Sequence, residues 1–155
     1  EVTSQAFSGN HTIEATTSNL GDFEYSLDLL PWQDNASFEN VRPGVHTIYA
    51  RDINGCGIGS DTILVIDYPL YFTPNGDGNH DTWNIVGIGT QPSVKIYIFD
   101  RYGKLMNQLS PTSPGWDGTY QGNLMPTDDY WFMIEYVEPL TGETKQQTAH
   151  FTLKR

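Results

Sequence analysis

Between Phe72 and Trp83 the chain reads F-T-P-N-G-D-G-N-H-D-T-W, and Asn75, Asp77, Asn79 and Asp81 set a side-chain oxygen at every second position, with Gly76 and Gly78 between them. Oxygens so spaced on a flexible loop suit a hard cation such as calcium, which takes several oxygen ligands. The calcium-loop pattern is incomplete, because His80 stands at its turn glycine and Val86 at its bidentate Glu. The same side chains also suit a loop that bonds to itself, since Asn and Asp accept hydrogen bonds from the backbone two residues on. Of the two readings the self-bonded loop is preferred, and calcium is the one cofactor suggested.

Other residue types that could do chemistry are arranged against it. Asp128 and Asp129 adjoin, but neighbours on a strand point to opposite faces and cannot flank one glycosidic bond. Asp117, in W-D-G-T, reads as a turn former. His11, His46, His80 and His150 are scattered, without the spacing of a zinc site. Cys56 is the single cysteine, so no internal disulfide is expected, and its N-G-C-G-I-G setting favours a small buried residue at a strand end over a reactive thiol. Trp32, Trp83, Trp116 and Trp131 could stack on sugars, yet such residues more often fill a core. Sequons at Asn10 and Asn35 matter only in a host that glycosylates them. No nucleophile elbow or phosphate loop occurs, and an enzyme is not expected.

The elements that must carry these residues are short strands. In the first half Phe23, Tyr25 and Leu27 alternate with polar neighbours, and Val45, Thr47 and Tyr49 oppose His46, Ile48 and Ala50. Residues 63–66 read as a strand buried on both faces, and turn clusters fall at 18–22, 34–35, 42–44 and 54–59. In the second half Val94, Ile96 and Ile98 face one way, residues 100–104 form a hairpin into 105–109, and strands at 129–137 and around Ala149, Phe151 and Leu153 follow. The 72–83 loop, with its Pro and glycines, cannot be regular structure and sits at the seam. The expectation is an all-β protein: two small Ig-like antiparallel β-sandwich domains in tandem, residues 1–68 and 69–155.

Charge separates the halves. Residues 1–68 hold ten acids and two bases (−8), and the remainder nine acids and six bases (−3), giving the net charge of −11. That balance argues against a nucleic-acid partner, which needs a basic footprint, and suits a domain kept apart by self-repulsion. No apolar run is long enough for a membrane span, and no basic-then-apolar leader opens the sequence; the chain reads either as cytosolic or, the preferred reading, as a piece of a longer precursor.

The second half closely resembles the gliding-motility-associated C-terminal domain, the type B sorting domain of Bacteroidetes type IX secretion. The motifs are F-T-P-N-G-D-G-N-H-D-T-W (72–83), I-Y-I-F-D-R-Y-G-K (96–104), G-W-D-G-T (115–119), D-D-Y-W-F (128–132) and H-F-T-L-K-R (150–155). Upstream, Y-S-L-D (25–28), F-E-N-V (38–41) and R-D-I-N-G-C-G (51–57) resemble the Ig-like repeats that precede this domain in surface adhesins, though a second cysteine common there is missing. The resemblance implies a folded address. It would direct a covalently continuous upstream cargo from the periplasm across the outer membrane to the cell surface or medium, by contact with the type IX translocon and a PorP/SprF-type outer-membrane protein. The residues expected at that contact are Asn75, Gly76, Asp77, Gly78 and Asp81, then Arg101, Tyr102, Gly103 and Lys104, then Lys154 and Arg155, with an exposed strand edge for β-augmentation. A carbohydrate- or surface-binding adhesive module is the rival, and a hydrolase using Asp117, Asp128 or Asp129 a remote third.

Overall fold

Strands form where β-branched and aromatic residues alternate with polar ones, and here they gather into two units, Glu1–Asp67 and Tyr68–Arg155. The structure is a computed structural model and describes every residue except Cys56, so the expectation for that residue lies outside the described residues. The protein is all-β, with one turn of 3-10 helix at Ile88–Thr90.

In the first unit β1 (His11–Glu14) pairs with β3 (Ser37–Val41), while β2 (Phe23–Leu27), β4 (Gly44–Asp52) and β5 (Ile58–Val65) form a second antiparallel sheet in the order β2-β4-β5. Ile13, Leu27, Val41, Ile48, Ile63 and Val65 meet in a small aliphatic core. Along β4 the face with Ile48 turns inward and Val45 is left 67 % exposed. β5 starts at Ile58, inside the expected turn cluster 54–59, because Gly59 and Ser60 find partners in Ala50 and Tyr49 across the hairpin. Leu64 is half-buried and Ile66 lies past the strand end, so 63–66 is not a strand buried on both faces.

The second unit has one five-stranded sheet, β6-β12-β11-β7-β8, made from β6 (Tyr71–Phe72), β7 (Ile96–Phe99), β8 (Leu105–Leu109), β11 (Asp128–Val137) and β12 (Thr144–Leu153). Between β8 and β11 a small ribbon joins β9 (Thr119–Tyr120) and β10 (Asn123–Leu124). β11 and β12 pair antiparallel over their full length, from Asp128↔Leu153 to Val137↔Thr144. One short pair departs from the expected antiparallel pattern: β6 runs parallel to the end of β12, with Leu153 opposite Phe72. Val94 precedes β7 and is not part of it.

The inner face of this sheet carries Ile96, Ile98, Tyr130, Phe132, Ile134, Phe151 and Leu153, all buried. Trp83 and Trp116, fully buried, pack on it from facing segments that bridge backbone to backbone (Trp83 N–H to Trp116 O, 2.9 Å; Trp116 N–H to Trp83 O, 2.8 Å). Trp83 stacks on Phe151 at 3.8 Å between ring centroids and Trp116 meets Tyr130 edge-on at 4.8 Å. Large rings concentrate apolar burial in few residues, so a thin layer suffices as the second wall of the core.

Candidate functional site

Register alone collects the loops. β12 ends where β11 begins (Leu153↔Asp128), β6 ends beside Leu153, and Phe99, the last residue of β7, lies opposite both Trp131 of β11 and Leu105 of β8. Residues 73–82 after β6, 100–104 between β7 and β8, and 154–155 after β12 therefore emerge at the same end of the five-stranded sheet. Pro74 and Arg155, 81 positions apart in the chain, become neighbours there.

The 73–82 loop is organised around one carboxylate. Asp81 Oδ1 accepts the N–H groups of Asn75 (3.0 Å) and Gly76 (2.7 Å), and Oδ2 accepts that of Gly78 (2.7 Å). Asn75 Oδ1 takes Asp77 N–H (3.1 Å), and Asp77 Oδ1 takes Asn79 N–H (2.7 Å). Gly76, Gly78 and His80 have φ of 78°, 86° and 54°, left-handed backbone that aims successive amides inward. The Asn75 amide, bonded to Asp77 Oδ2 at 2.9 Å, and then the Asn79 N–H hold the Asp77 carboxyl below its ordinary range. His80 stacks on Tyr71 (5.8 Å, 28°), and Lys154 Nζ lies 4.3 Å from the centre of the same Tyr71 ring.

The hairpin is held in the same way. Asp100 Oδ1 accepts Tyr102 N–H and Lys104 N–H, each at 2.9 Å, and Gly103 at φ 79° closes the turn. Arg101 Nη1 reaches Asp128 Oδ2 at 3.2 Å, and Lys104 Nζ sits 4.3 Å from the centre of the Tyr120 ring. Tyr102 projects from the tip, 85 % exposed, with the Arg101 guanidinium carbon 5.5 Å from its ring centre. Exposed Tyr and Arg on a braced turn are the side chains that anchor protein–protein contacts.

Arg155, an exposed residue, lays its guanidinium against backbone carbonyls. Its Nε donates to Met125 O (2.9 Å), Nη2 to Gly118 O (3.0 Å) and Nη1 to Pro74 O (3.4 Å), while its backbone N–H donates to Thr127 Oγ1 (2.9 Å). Reading the sequence pointed to Arg155 but missed these carbonyls, as it missed the braces Tyr71, Tyr120 and Asp128. The G-W-D-G-T motif was the available signal for Gly118.

The remaining candidates lead elsewhere. Asp128 is occupied by Arg101, Asp129 Oδ1 accepts Thr152 Oγ1 (2.6 Å), and Asp117 Oδ1 accepts Thr119 N–H (3.0 Å) and Oγ1 (2.8 Å) as a turn former does. His11 pairs with Asp67 (2.8 Å) and His46 with Asp28 (2.6 Å), both in the first unit. Trp83 and Trp116 are core, whereas Trp32, under the Arg51 guanidinium at 4.2 Å, and Trp131 keep part of their surface in solvent. Among the described residues no three His, Cys, Asp or Glu side chains are grouped to hold a metal. Both Asp81 oxygens, Asn75 Oδ1 and Asp77 Oδ1 are directed at backbone N–H groups, the arrangement of a self-bonded loop. No described helix is long and apolar enough to cross a membrane.

No curated protein and no solved structure matches the chain. The CHU_C type IX secretion signal domain matches residues 66–153, which include the 73–82 loop, the 100–104 hairpin and the whole five-stranded sheet. That family is a sorting module. The match covers more than half of the sequence, and the chain belongs to the type IX secretion signal domain family.

Proposed function

We propose that residues 69–155 are a folded address, read by protein–protein recognition at the loop-bearing end of the five-stranded sheet. An upstream cargo joined to the chain is carried through the type IX translocon to the cell surface or medium, and a PorP/SprF-type outer-membrane protein is the expected receptor. No catalytic step is assigned. Residues 1–68 serve as an Ig-like spacer between address and cargo. The observation that carries this reading is the convergence of Asn75–Asp81, Arg101–Lys104 and Lys154–Arg155 at one end, each held by side-chain hydrogen bonds, ion pairs or ring contacts. Preorganised loops lose little entropy on binding, which favours a surface that must be recognised as a folded object.

The test is export of a periplasmic reporter fused to residues 69–155, and separately to 1–155, in a type IX-competent host. Export of the short fusion, abolished in a translocon-deficient strain, is the expected result. A folded reporter fusion that stays in the periplasm in both forms would sink the reading and bring the adhesive module forward, for which the half-buried Trp32 and Trp131 are the rings to test with glycans.

A further inference from the structure

Four basic side chains stand at the recognition end, and they divide by what they face. Arg101, Lys104 and Lys154 each lie over a tyrosine ring, with aromatic surface beside the cation. Arg155 instead spends its guanidinium on three neutral carbonyls from three separate segments: Pro74 at the start of the 73–82 loop, Gly118 in the turn before β9, and Met125 after β10. No carboxylate among the described residues pairs with it at ion-pair distance.

The acceptor side is shaped for this group. Gly118 has φ 77°, and a Cβ there would stand 2.7 Å from Leu153 Cδ1 and 3.0 Å from Arg155 Nη2, so a side chain at 118 would displace the guanidinium. Gly118 O also accepts Met125 N–H at 2.9 Å, tying two of the three clamped segments to each other. Arginine is the side chain that can do this, because its planar fork offers five N–H donors in fixed directions, while the lysine ammonium is a single point of charge.

We propose that Arg155 is a positioning residue: its guanidinium holds the 73–82 loop and the 115–127 segment in register with the end of β12, and the surface read in secretion exists only while that clamp is closed. This rests on the reading that the loop-bearing end is what the secretion machinery recognises. It also explains physically why three motifs far apart in the chain, F-T-P-N-G-D-G, G-W-D-G-T and the terminal K-R, occur together: the first two supply carbonyls and the third supplies the donor.

The experiment uses the full 155-residue chain and its reporter fusion with Arg155→Ala, Arg155→Lys and Gly118→Ala. Amide exchange at Gly76, Gly78 and Thr119 reports on the loops, exchange at Ile98 and Ile134 on the sheet, and reporter export on function. Arg155→Ala and Gly118→Ala are expected to speed loop exchange about tenfold, the factor that one charge-assisted hydrogen bond supplies, with sheet exchange little changed and export reduced by a similar factor. Arg155→Lys, which keeps the charge, is expected to restore neither. Loop exchange unaltered in Arg155→Ala overturns the clamp whatever export does, and so does restoration of both readouts by lysine. Loosened loops with undiminished export leave the clamp standing and overturn the reading of these loops as the recognised surface. If Gly118→Ala unfolds the sheet, the two Arg155 variants decide alone.

Discussion

The two units solve the same problem, closing a small β core, with different side chains. The first packs Ile13, Leu27, Val41, Ile48, Ile63 and Val65, all aliphatic. The second adds large rings to its aliphatics: Trp83, Trp116, Phe72, Phe132, Phe151, Tyr130 and Tyr136 are buried together with Ile96, Ile98, Ile134 and Leu153. Turns in the first unit are held by separate polar side chains, some buried, as where Ser26 Oγ donates to Leu30 O and Asp67 Oδ2 accepts Gly9 N–H, and some at the surface, as at Asp28, whose carboxylate takes His46 Nδ1 and Thr47 N–H. In the second unit the core itself reaches into the loops: Trp83 Nε1 donates to Pro69 O and Trp116 Nε1 to Thr119 O, each at 2.8 Å. A core with such handles stiffens the loops around it, and the proposed recognition surface is built from those loops.

The comparison can be broken most directly through the tryptophans. Trp83→Ala should destabilise the second unit by about 3–5 kcal/mol, the usual cost of emptying a buried aromatic site, and Ile13→Ala should cost the first about 2–5 kcal/mol. Denaturant unfolding followed by amide signals from each unit checks this, and equal loss in both units from either change would show that they do not behave separately.

Alkaline pH offers a second handle. Burial, then the negative charge of Glu138, pushes the Tyr136 hydroxyl up to about 12. The folded state keeps that proton at a pH where the unfolded chain has released it, so stability is present below pH ~10 and is lost as pH rises from there towards 12, by about 3 kcal/mol at most. Tyr136→Phe should flatten that arm of the stability curve; an unchanged slope would remove Tyr136 as its source. At the acid end Asp28 adds a loss in the first unit. Burial works to raise its carboxyl, but hydrogen bonds from His46 and Thr47 outweigh it and the net shift is downward. Stability from this group is therefore present above about pH 4 and lost as pH falls through the lowered value, an effect that Asp28→Asn should reduce.

A smaller, local effect is expected at the loop hub. Asp81→Ala removes the acceptor of three N–H groups and should cost about 1–2 kcal/mol, seen as faster exchange at Gly76 and Gly78 with the sheet amides unmoved. Smallest of all is the response to calcium. With the loop oxygens already accepting N–H groups, added calcium should leave the melting temperature of the second unit unchanged; a rise that disappears in Asp77→Ala would instead make the loop a cation site.

Much of this fold was legible in the residues. Alternation around Ala149, Phe151 and Leu153, the 100–104 hairpin with Gly103, and Asp117 before Gly118 follow from strand period and turn chemistry, which are local. What alternation cannot supply is sign. Period two divides β4 into two faces, yet only the sheet packed against it makes Ile48 core and leaves Val45 outside. The start of β5 was hidden for a related reason: Gly59 and Ser60 have turn character, and cross-hairpin pairing overrode it.

The site divides along the same line. Which loops carry Asx side chains, which turn needs Gly103, and which cations are available to the surface follow from the residue types, because those properties belong to the side chains. That three loops share one end of a sheet, and that Arg155 closes on Pro74, Gly118 and Met125, depends on how the strands come together. Every residue carries the same carbonyl, so the letters do not say which three a guanidinium will meet; strand register, the Trp83–Trp116 bridge and the Met125 N–H bond to Gly118 O bring them within its reach.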